Sequence, residues 1–231
     1  MPDCASAGEN GGVDISGLTD RTFDAVIFDN DGTLTDSTDA VVRSWMTWAD
    51  EHGVPRERLA GMHGIPAEGI IARVAPHLEG GPALERITQL EVEDSDGIAA
   101  LPGAVAAIEA LPGRCAIATS ATAELAHMRL AAAGLPEPTV LVTFDDVEHG
   151  KPAPDPFLLA AQRLGVDPTR CLVVEDAPLG VAGARAAGCA VLGLTTTTPA
   201  DELDADAIVE TLADVRFVVD GDVVRVTSAE A

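Results

Sequence analysis

The chain has 231 residues, 47% of them hydrophobic, which is enough to bury the core of one domain, or of one domain with an inserted subdomain. Its 38 acidic and 14 basic residues give a formal charge of −24, which opposes binding to nucleic acid and to anionic membrane surfaces. No stretch approaches the roughly 18 uninterrupted apolar residues that a membrane helix needs. The four cysteines lie far apart, and three sit in or near small and apolar stretches, so we expect reduced thiols in a cytoplasmic protein.

The first 23 residues are rich in Gly, Asp and Ser. They have neither the basic head nor the apolar core of a secretory signal, and their composition predicts a flexible N-terminal extension over residues 1–23. The folded core is therefore expected to begin at about residue 24.

Two carboxylates follow the first apolar run of the chain, Ala25–Phe28. Asp29 and Asp31 are two positions apart, and in a strand residues i and i+2 point the same way. Gly32 lets the backbone leave the sheet, so both acids would face an open end, a geometry that suits a nucleophile and its proton shuttle. A polar turn after a strand is the simpler interpretation of these residues taken alone.

The pattern between residues 37 and 100 is helical throughout, and it separates the first strand from the second. Helices are predicted there at Asp39–His52, Pro66–Val74 and Leu84–Glu93. We therefore expect a helical cap subdomain, residues 37–100, inserted into a core made of residues 24–36 and 101–231.

Short apolar runs alternate with helical segments in the rest of the chain. Strands are predicted at Ala25–Phe28, Cys115–Ala118, Val140–Thr143, Cys171–Val174 and Ala190–Leu194. Helices are predicted at Val105–Leu111, Ala123–Ala133, Pro156–Leu164 and Leu179–Ala187. The alternation predicts an α/β fold, a Rossmann-like doubly wound parallel sheet with its ligand site at the carboxyl ends of the strands. The tail around Asp220 and Gly221 alternates like a β-hairpin.

Three further polar clusters follow predicted strands. Thr119 and Ser120 offer hydroxyls and backbone N–H groups at a helix start, which binds phosphate well, although an ordinary N-cap has the same pattern. Lys151 is the only lysine of the chain and stands between a glycine and a run of prolines, a rigid frame that suits contact with an anion. Glu175 and Asp176 either cap the next helix or supply the hard oxygen ligands that Mg²⁺ prefers.

In their order, and in their positions after strands, these clusters resemble the four motifs of the haloacid dehalogenase superfamily of phosphotransferases. The resemblance covers nearly everything from Asp24 to about Val209. It implies that Asp29 is the nucleophile that accepts the phosphoryl group as an aspartyl phosphate. It also implies that Asp31 protonates the leaving oxygen and later deprotonates the hydrolytic water.

The same resemblance assigns the groups that neutralise the phosphate. Thr119, Ser120 and Lys151 would hold the transferring phosphoryl group. A Mg²⁺ cofactor would be bound by Asp29, by the backbone carbonyl of Asp31, by Asp176 and, directly or through water, by Glu175. The chemistry is reasonable in itself, because a carboxylate attacks a phosphate dianion only when positive charge offsets the repulsion.

The residues discriminate among the branches of the superfamily. Its dehalogenases lack an acid two residues after the nucleophile, where this chain has Asp31, and its phosphonoacetaldehyde hydrolases need a cap lysine that residues 37–100 lack. Mutases of the beta-phosphoglucomutase type carry a histidine in the first cap helix, and the matching place here is near Val41. Hydrolysis is therefore favoured. A hexose phosphate mutase and a non-catalytic binding or regulatory protein with the same fold stay as alternatives.

Within the phosphatases, residues 118–120, 150–156 and 175–180 look most like the 2-deoxyglucose-6-phosphate and glycerol phosphate phosphatases. This similarity implies a hydrolase acting on a small sugar or polyol phosphate, with that phosphorylated metabolite as its partner, in a monomer or dimer. His63 and Arg73, in a cap segment that is also similar, are expected to touch the substrate. A loop histidine and an arginine on a solvated helix face are the simpler interpretations of these two residues.

Overall fold

The computed structural model of the protein describes residues 14–61, 65–78, 80–136 and 138–229. The α-helices are α1 (Ser16–Thr19), α2 (Thr38–His52), α3 (Ala67–Val74), α4 (Pro82–Glu93), α5 (Ala104–Glu109), α6 (Ala123–Ala132), α7 (Asp155–Leu164) and α8 (Pro178–Ala186). The strands are β1 (Ala25–Phe28), β2 (Thr35–Asp36), β3 (Ala99–Ala100), β4 (Cys115–Ala118), β5 (Leu141–Val142), β6 (Cys171–Glu175), β7 (Ala190–Leu194), β8 (Ala207–Val209), β9 (Val215–Asp220) and β10 (Val223–Ser228).

Six of these strands form one parallel sheet in the order β5-β4-β1-β6-β7-β8. The predicted α/β fold with a Rossmann-like parallel core is therefore confirmed. Both faces of the sheet are covered, since Val26 and Phe28 of β1 belong to one apolar cluster and Ala25 and Ile27 to another. The sequence analysis does not predict β8, because its three residues form a very short apolar run between acidic residues.

The register of the sheet brings the ends of its central strands level. Phe28 in β1 is paired with Ile117 in β4 and with Val174 in β6. The residues that follow these three positions therefore leave the sheet at one edge, which is where parallel α/β sheets bind ligands. This register is what collects the motif residues at one place.

Three helices, α2, α3 and α4, pack around an apolar cluster of their own that includes Trp48, Ile71 and Ile87. The Trp48 indole N–H donates to the carbonyl oxygen of Ala83 at 2.8 Å, which ties α2 to α4. The two chain segments that join these helices to the sheet lie side by side as the antiparallel pair β2 and β3. The arrangement suits an inserted cap, and its boundaries at residues 37 and 100 stay a prediction.

The N-terminal segment corrects one expectation. A flexible extension over residues 1–23 is wrong for residues 15–23, because Ile15, Leu18 and Phe23 are buried in the main core cluster. Phe23 also exchanges two backbone hydrogen bonds with Val224 of β10, at 2.9 and 2.7 Å. Three apolar side chains with backbone pairing give this segment enough burial to order it. Residues 1–13 lie outside the described part of the chain.

Three cysteines in the described part of the chain, Cys115, Cys171 and Cys189, are buried free thiols. Burial raises the pKa of Cys171 and of Cys189 to about 12, so both stay protonated near neutral pH. They are structural rather than reactive cysteines. Among the described residues, none of the helices has the length and apolar character needed to cross a bilayer.

Candidate active site

Four charged side chains meet at the carboxyl end of the sheet. Asp29, Lys151, Glu175 and Asp176 are each 7% exposed or less. The Lys151 Nζ atom lies 2.5 Å from Asp29 Oδ1 and 2.6 Å from Glu175 Oε1. Residues 122 positions apart in the chain are thus joined by a buried ion pair. The structure brings these four predicted site residues together.

Glu175 is held by groups of the protein on both of its oxygens. Oε1 accepts from Lys151, and Oε2 accepts the backbone N–H groups of Asp176 and Ala177, each at 2.9 Å. Gly180 of α8 makes room for this carboxylate, because a Cβ atom there would overlap it. Glu175 therefore positions Lys151 and the start of α8, whether or not it also approaches a metal ion.

Asp176 receives a hydroxyl on each oxygen. Thr33 Oγ1 donates to Oδ1 at 2.9 Å, and Thr197 Oγ1 donates to Oδ2. Gly32 passes directly beside this carboxylate with a φ of 86°, and a Cβ atom at that position would collide with it. The glycine of the first motif is therefore needed twice, for its left-handed backbone and for the closeness of Asp176.

The cluster carries more negative than positive charge. Oxygen atoms of Asp29, Glu175 and Asp176 lie within 4.8 Å of one another, with the single ammonium of Lys151 among them. Burial and the nearby charge of Glu175 raise the pKa of Asp176 to about 7. Although burial alone would lower the pKa of Lys151, the charges of Asp29 and Glu175 raise it above its ordinary value. A buried set of hard oxygen donors with uncompensated negative charge fits a small dication such as Mg²⁺.

Asp31 stands beside this cluster, and its carboxyl group is more open, with 27% of its side chain exposed. Its Oδ1 accepts from the hydroxyl of Ser37 at 2.6 Å, and its Oδ2 lies 2.9 Å from an Arg129 nitrogen. An acid–base group must reach both the leaving group and water, which an open position allows.

The segment before α6 supplies the expected hydroxyl groups. Thr119 Oγ1 accepts the backbone N–H of Ala121 at 3.1 Å, which fixes the turn. The hydroxyl oxygens of Ser120 and Thr122 are buried and have no hydrogen-bond partner among the described residues. Ser120 and Thr122 line the same cavity as Asp29, and a buried hydroxyl without a partner is costly unless a ligand pairs with it. This place fits an oxyanion.

Comparison with known proteins assigns this chain to a family. A model of the haloacid dehalogenase-like hydrolases matches residues 23–188, which include every one of the motif residues described above. The chain belongs to the haloacid dehalogenase-like hydrolase family. The matched range contains the first motif, the hydroxyl turn, the lysine and the acidic pair, and all of these line one cavity.

The individual relatives indicate which reaction this member of the family catalyses. Hexitol phosphatase A from Escherichia coli is 45% identical over 182 residues, covering 76% of this chain and 83% of that protein. Glycerol-1-phosphate phosphohydrolase 2 from Saccharomyces cerevisiae is 32% identical over 221 residues, covering 87% of this chain and 88% of that protein. The structure of a hydrolase from Pseudomonas syringae superimposes with a TM-score of 0.73 at 31% identity, over 82% of this chain and 94% of that one. This haloacid dehalogenase-like protein is an enzyme, a phosphoric monoester hydrolase.

The active-site cavity of this hydrolase has a volume of about 390 Å³ and lies between the core and the cap helices. Core residues at its floor are those of the charged cluster and the hydroxyl turn. The cap contributes an apolar wall, formed mainly by Val41, Val42, Trp45, Met46, Leu59 and Ile65. A small ester with its phosphate on the floor would therefore have its leaving group under the cap.

The two cap residues predicted to touch substrate have different outcomes. Arg73 is exposed on α3 and is not among the residues that line the cavity, so the structure does not bring it to the site. The reason is the orientation of α3, which turns Ile70, Ile71 and Val74 inward and leaves Arg73 on the outer face. His63 lies outside the described residues.

Two buried charged residues of the cavity are not predicted from the sequence. Arg129 on α6 and Glu91 on α4 are buried and form an ion pair at 3.2 Å. The available signal is that each interrupts an apolar helical stripe, Arg129 beside Leu125 and Ala126, and Glu91 four residues after Ile87. The sequence alone gives no reason to pair two positions 38 residues apart.

Proposed function

We propose that this enzyme is a Mg²⁺-dependent phosphatase that hydrolyses a small sugar or polyol phosphate through an aspartyl phosphate. The observation that carries the proposal is the buried Asp29 carboxylate, fixed 2.5 Å from the Lys151 ammonium at the floor of a cavity with unpaired hydroxyl groups. A rigid carboxylate beside fixed positive charge is what attack on a phosphate dianion requires.

The first half-reaction transfers the phosphoryl group to the protein. A carboxylate oxygen of Asp29 attacks phosphorus and forms a new P–O bond while the ester P–O bond breaks. The carboxyl group of Asp31 gives its proton to the leaving alkoxide, which departs as an alcohol. Lys151, Thr119 and Ser120 hold the phosphoryl oxygens through this transfer.

The second half-reaction restores the enzyme. Asp31, now a carboxylate, takes a proton from a water molecule as that water attacks phosphorus. The bond between phosphorus and Asp29 breaks, and inorganic phosphate leaves. The cap keeps other water out of the cavity during transfer, which protects the acyl phosphate from early hydrolysis.

The residues that would hold Mg²⁺ are Asp29, Asp176, the backbone carbonyl of Asp31 and, directly or through water, Glu175. The ion, when bound, supplies the positive charge that the cluster lacks and neutralises charge on the phosphoryl oxygens. The hydroxyls of Thr33 and Thr197 orient Asp176 for this task.

The substrate class follows from the relatives and from the cavity. Relatives named for hexitol and glycerol phosphates match over most of this chain. A cavity of about 390 Å³, with polar groups at the floor and near Arg129 and an apolar cap wall, suits a leaving group of a few carbons with hydroxyls. We therefore assign a small sugar or polyol phosphate.

The mutase alternative finds no support in the first cap helix. A sugar phosphate mutase needs a group there to assist transfer back to the sugar, and the α2 residues that line the cavity are Thr38, Val41, Val42, Trp45 and Met46. The aliphatic and aromatic side chains among them have no titratable group for this purpose. Hydrolysis by water is the reaction that this wall favours.

The test is phosphate release with Mg²⁺ from a panel of sorbitol, mannitol, glycerol, 2-deoxyglucose and glucose phosphates, with Asp29→Asn as the matched control. We expect release that needs the metal, is strongest on polyol or hexose 6-phosphates, and is absent in the variant. Interconversion of glucose phosphates without release would make the protein a mutase. Binding of the esters with neither reaction would make it a binding or regulatory protein.

A further inference from the structure

A buried arginine without a task in the mechanism above links the acid–base residue to the cap. Arg129 on α6 is 5% exposed. One of its terminal nitrogens, Nη1, lies 2.9 Å from Asp31 Oδ2, and the other, Nη2, lies 3.2 Å from Glu91 Oε1. Glu91 belongs to α4 of the cap and is 9% exposed. All three residues line the active-site cavity.

The orientation of this guanidinium is set by the two carboxylates. Its third nitrogen, Nε, is buried and has no hydrogen-bond partner among the described residues. Asp31 is held from the other side, because its Oδ1 accepts from Ser37 at 2.6 Å. Asp31 is therefore fixed between a hydroxyl of the core–cap connection and an arginine that is itself fixed by the cap.

We propose that Arg129 is a positioning residue for Asp31, and that Glu91 makes this positioning depend on the packing of the cap against the core. The inference rests on the proposed phosphatase function. When α4 packs on α6, Glu91 orients Arg129, and Arg129 holds Asp31 Oδ2 in place for proton transfer. When α4 moves away, the arginine loses one of its two partners and Asp31 is less firmly placed.

The proton transferred by Asp31 gives the proposal a specific signature. An alkyl phosphate loses an alkoxide, which must be protonated as the ester P–O bond breaks. A p-nitrophenyl phosphate loses a stable phenolate, which leaves without a proton while the Asp29–phosphorus bond forms. Displacement of Asp31 should therefore slow transfer from the alkyl ester and spare transfer from the aryl ester. General damage to the site would slow both.

The experiment compares wild type with Arg129→Gln, Arg129→Lys and Glu91→Gln, by rapid-quench kinetics on sorbitol 6-phosphate and by the p-nitrophenolate burst on the aryl ester. We expect kcat on the alkyl ester to fall about 100-fold in both arginine variants and about 10-fold in Glu91→Gln, without a matching rise in KM. The burst rate should stay within about threefold of wild type, and the burst should become larger because water activation is slower. Arg129→Lys keeps a positive charge between the two carboxylates and is therefore the variant to use if Arg129→Gln does not fold.

The matched control is Arg86→Gln, which removes an exposed ion pair with Glu51 from the same cap helix and should change neither rate. Equal losses in kcat on the alkyl ester and in the burst rate on the aryl ester, or no loss in the Arg129 variants, would overturn the positioning role. A full effect in the arginine variants with none in Glu91→Gln would overturn its dependence on the cap. If wild type releases no phosphate from any alkyl ester, the proposed function fails, and this inference with it.

Discussion

The pKa of Asp176 leads to a stability prediction for the metal-free enzyme. The group is 2% exposed, and burial together with the charge of Glu175 raises its pKa from 3.8 to about 7, against the hydroxyls of Thr197 and Thr33. Between these two values the folded protein keeps a proton that the unfolded chain has lost. The free energy of unfolding therefore falls as the pH rises from about 4 to about 7. The difference of about 3 pH units corresponds to roughly 4 kcal/mol.

Asp176→Asn removes this titration and keeps nearly the same shape. The metal-free variant should equal wild type in stability near pH 4 and exceed it by up to roughly 4 kcal/mol at pH 8, while losing its activity. The charge of Asp176 also helps to raise the pKa of Asp29, so the difference between the two proteins reports the titration of Asp176 together with its effect on Asp29. Wild type, and not the variant, should recover stability when Mg²⁺ is added, by about 2.7 kcal/mol at a hundred times the Kd.

The assay is urea unfolding in EDTA at pH values from 4.5 to 8, repeated with Mg²⁺. A difference between variant and wild type that is constant with pH would refute the reasoning. A variant that is less stable than wild type at pH 8 would do so as well, because the buried charge would then be stabilising without a metal.

Three further predictions test buried groups in the charged cluster and next to it. Lys151→Met leaves two buried carboxylates without their cation. We expect the free energy of unfolding, measured in urea at pH 8 without metal, to fall by about 3–5 kcal/mol. A decrease below about 1 kcal/mol would contradict the pairing. Gly180→Ala, which would stabilise an ordinary helix, should instead destabilise the protein and lower phosphate release, because its Cβ displaces Glu175; unchanged release would argue against this contact. Asn30→Val should raise the thermal midpoint and increase the free energy of unfolding by about 1–3 kcal/mol, since both polar side-chain atoms of Asn30 are buried and have no hydrogen-bond partner in the described part of the chain; a lower midpoint would show that the amide is hydrogen-bonded.

Local sequence patterns predict five of the six strands of the core sheet, all except β8. Ala25–Phe28 and Ala190–Leu194 form strands with the predicted ends. In a chain where helices alternate with short apolar runs, those runs are stable as central strands of a parallel sheet, buried on both faces. The sequence also indicated which residues carry chemistry. Acids, hydroxyls and the single lysine placed directly after strands emerge at one edge of a parallel sheet, so their meeting follows from local pattern and topology.

How those groups act on one another depends on contacts that form only in the folded protein. Whether Glu175 faces a metal or holds Lys151 depends on which donors reach each of its oxygens. Gly180 leaves the space that the Glu175 carboxylate occupies, and no hydrophobic periodicity predicts this contact. The pairing of Arg129 with Glu91 depends on how the cap helices pack against the core. Ile15 is buried in a cluster whose other members, such as Val209 and Val224, lie far from it in the sequence. Hydrophobic periodicity predicts which face of a helix or strand is buried, whereas long-range packing determines which side chains come into contact.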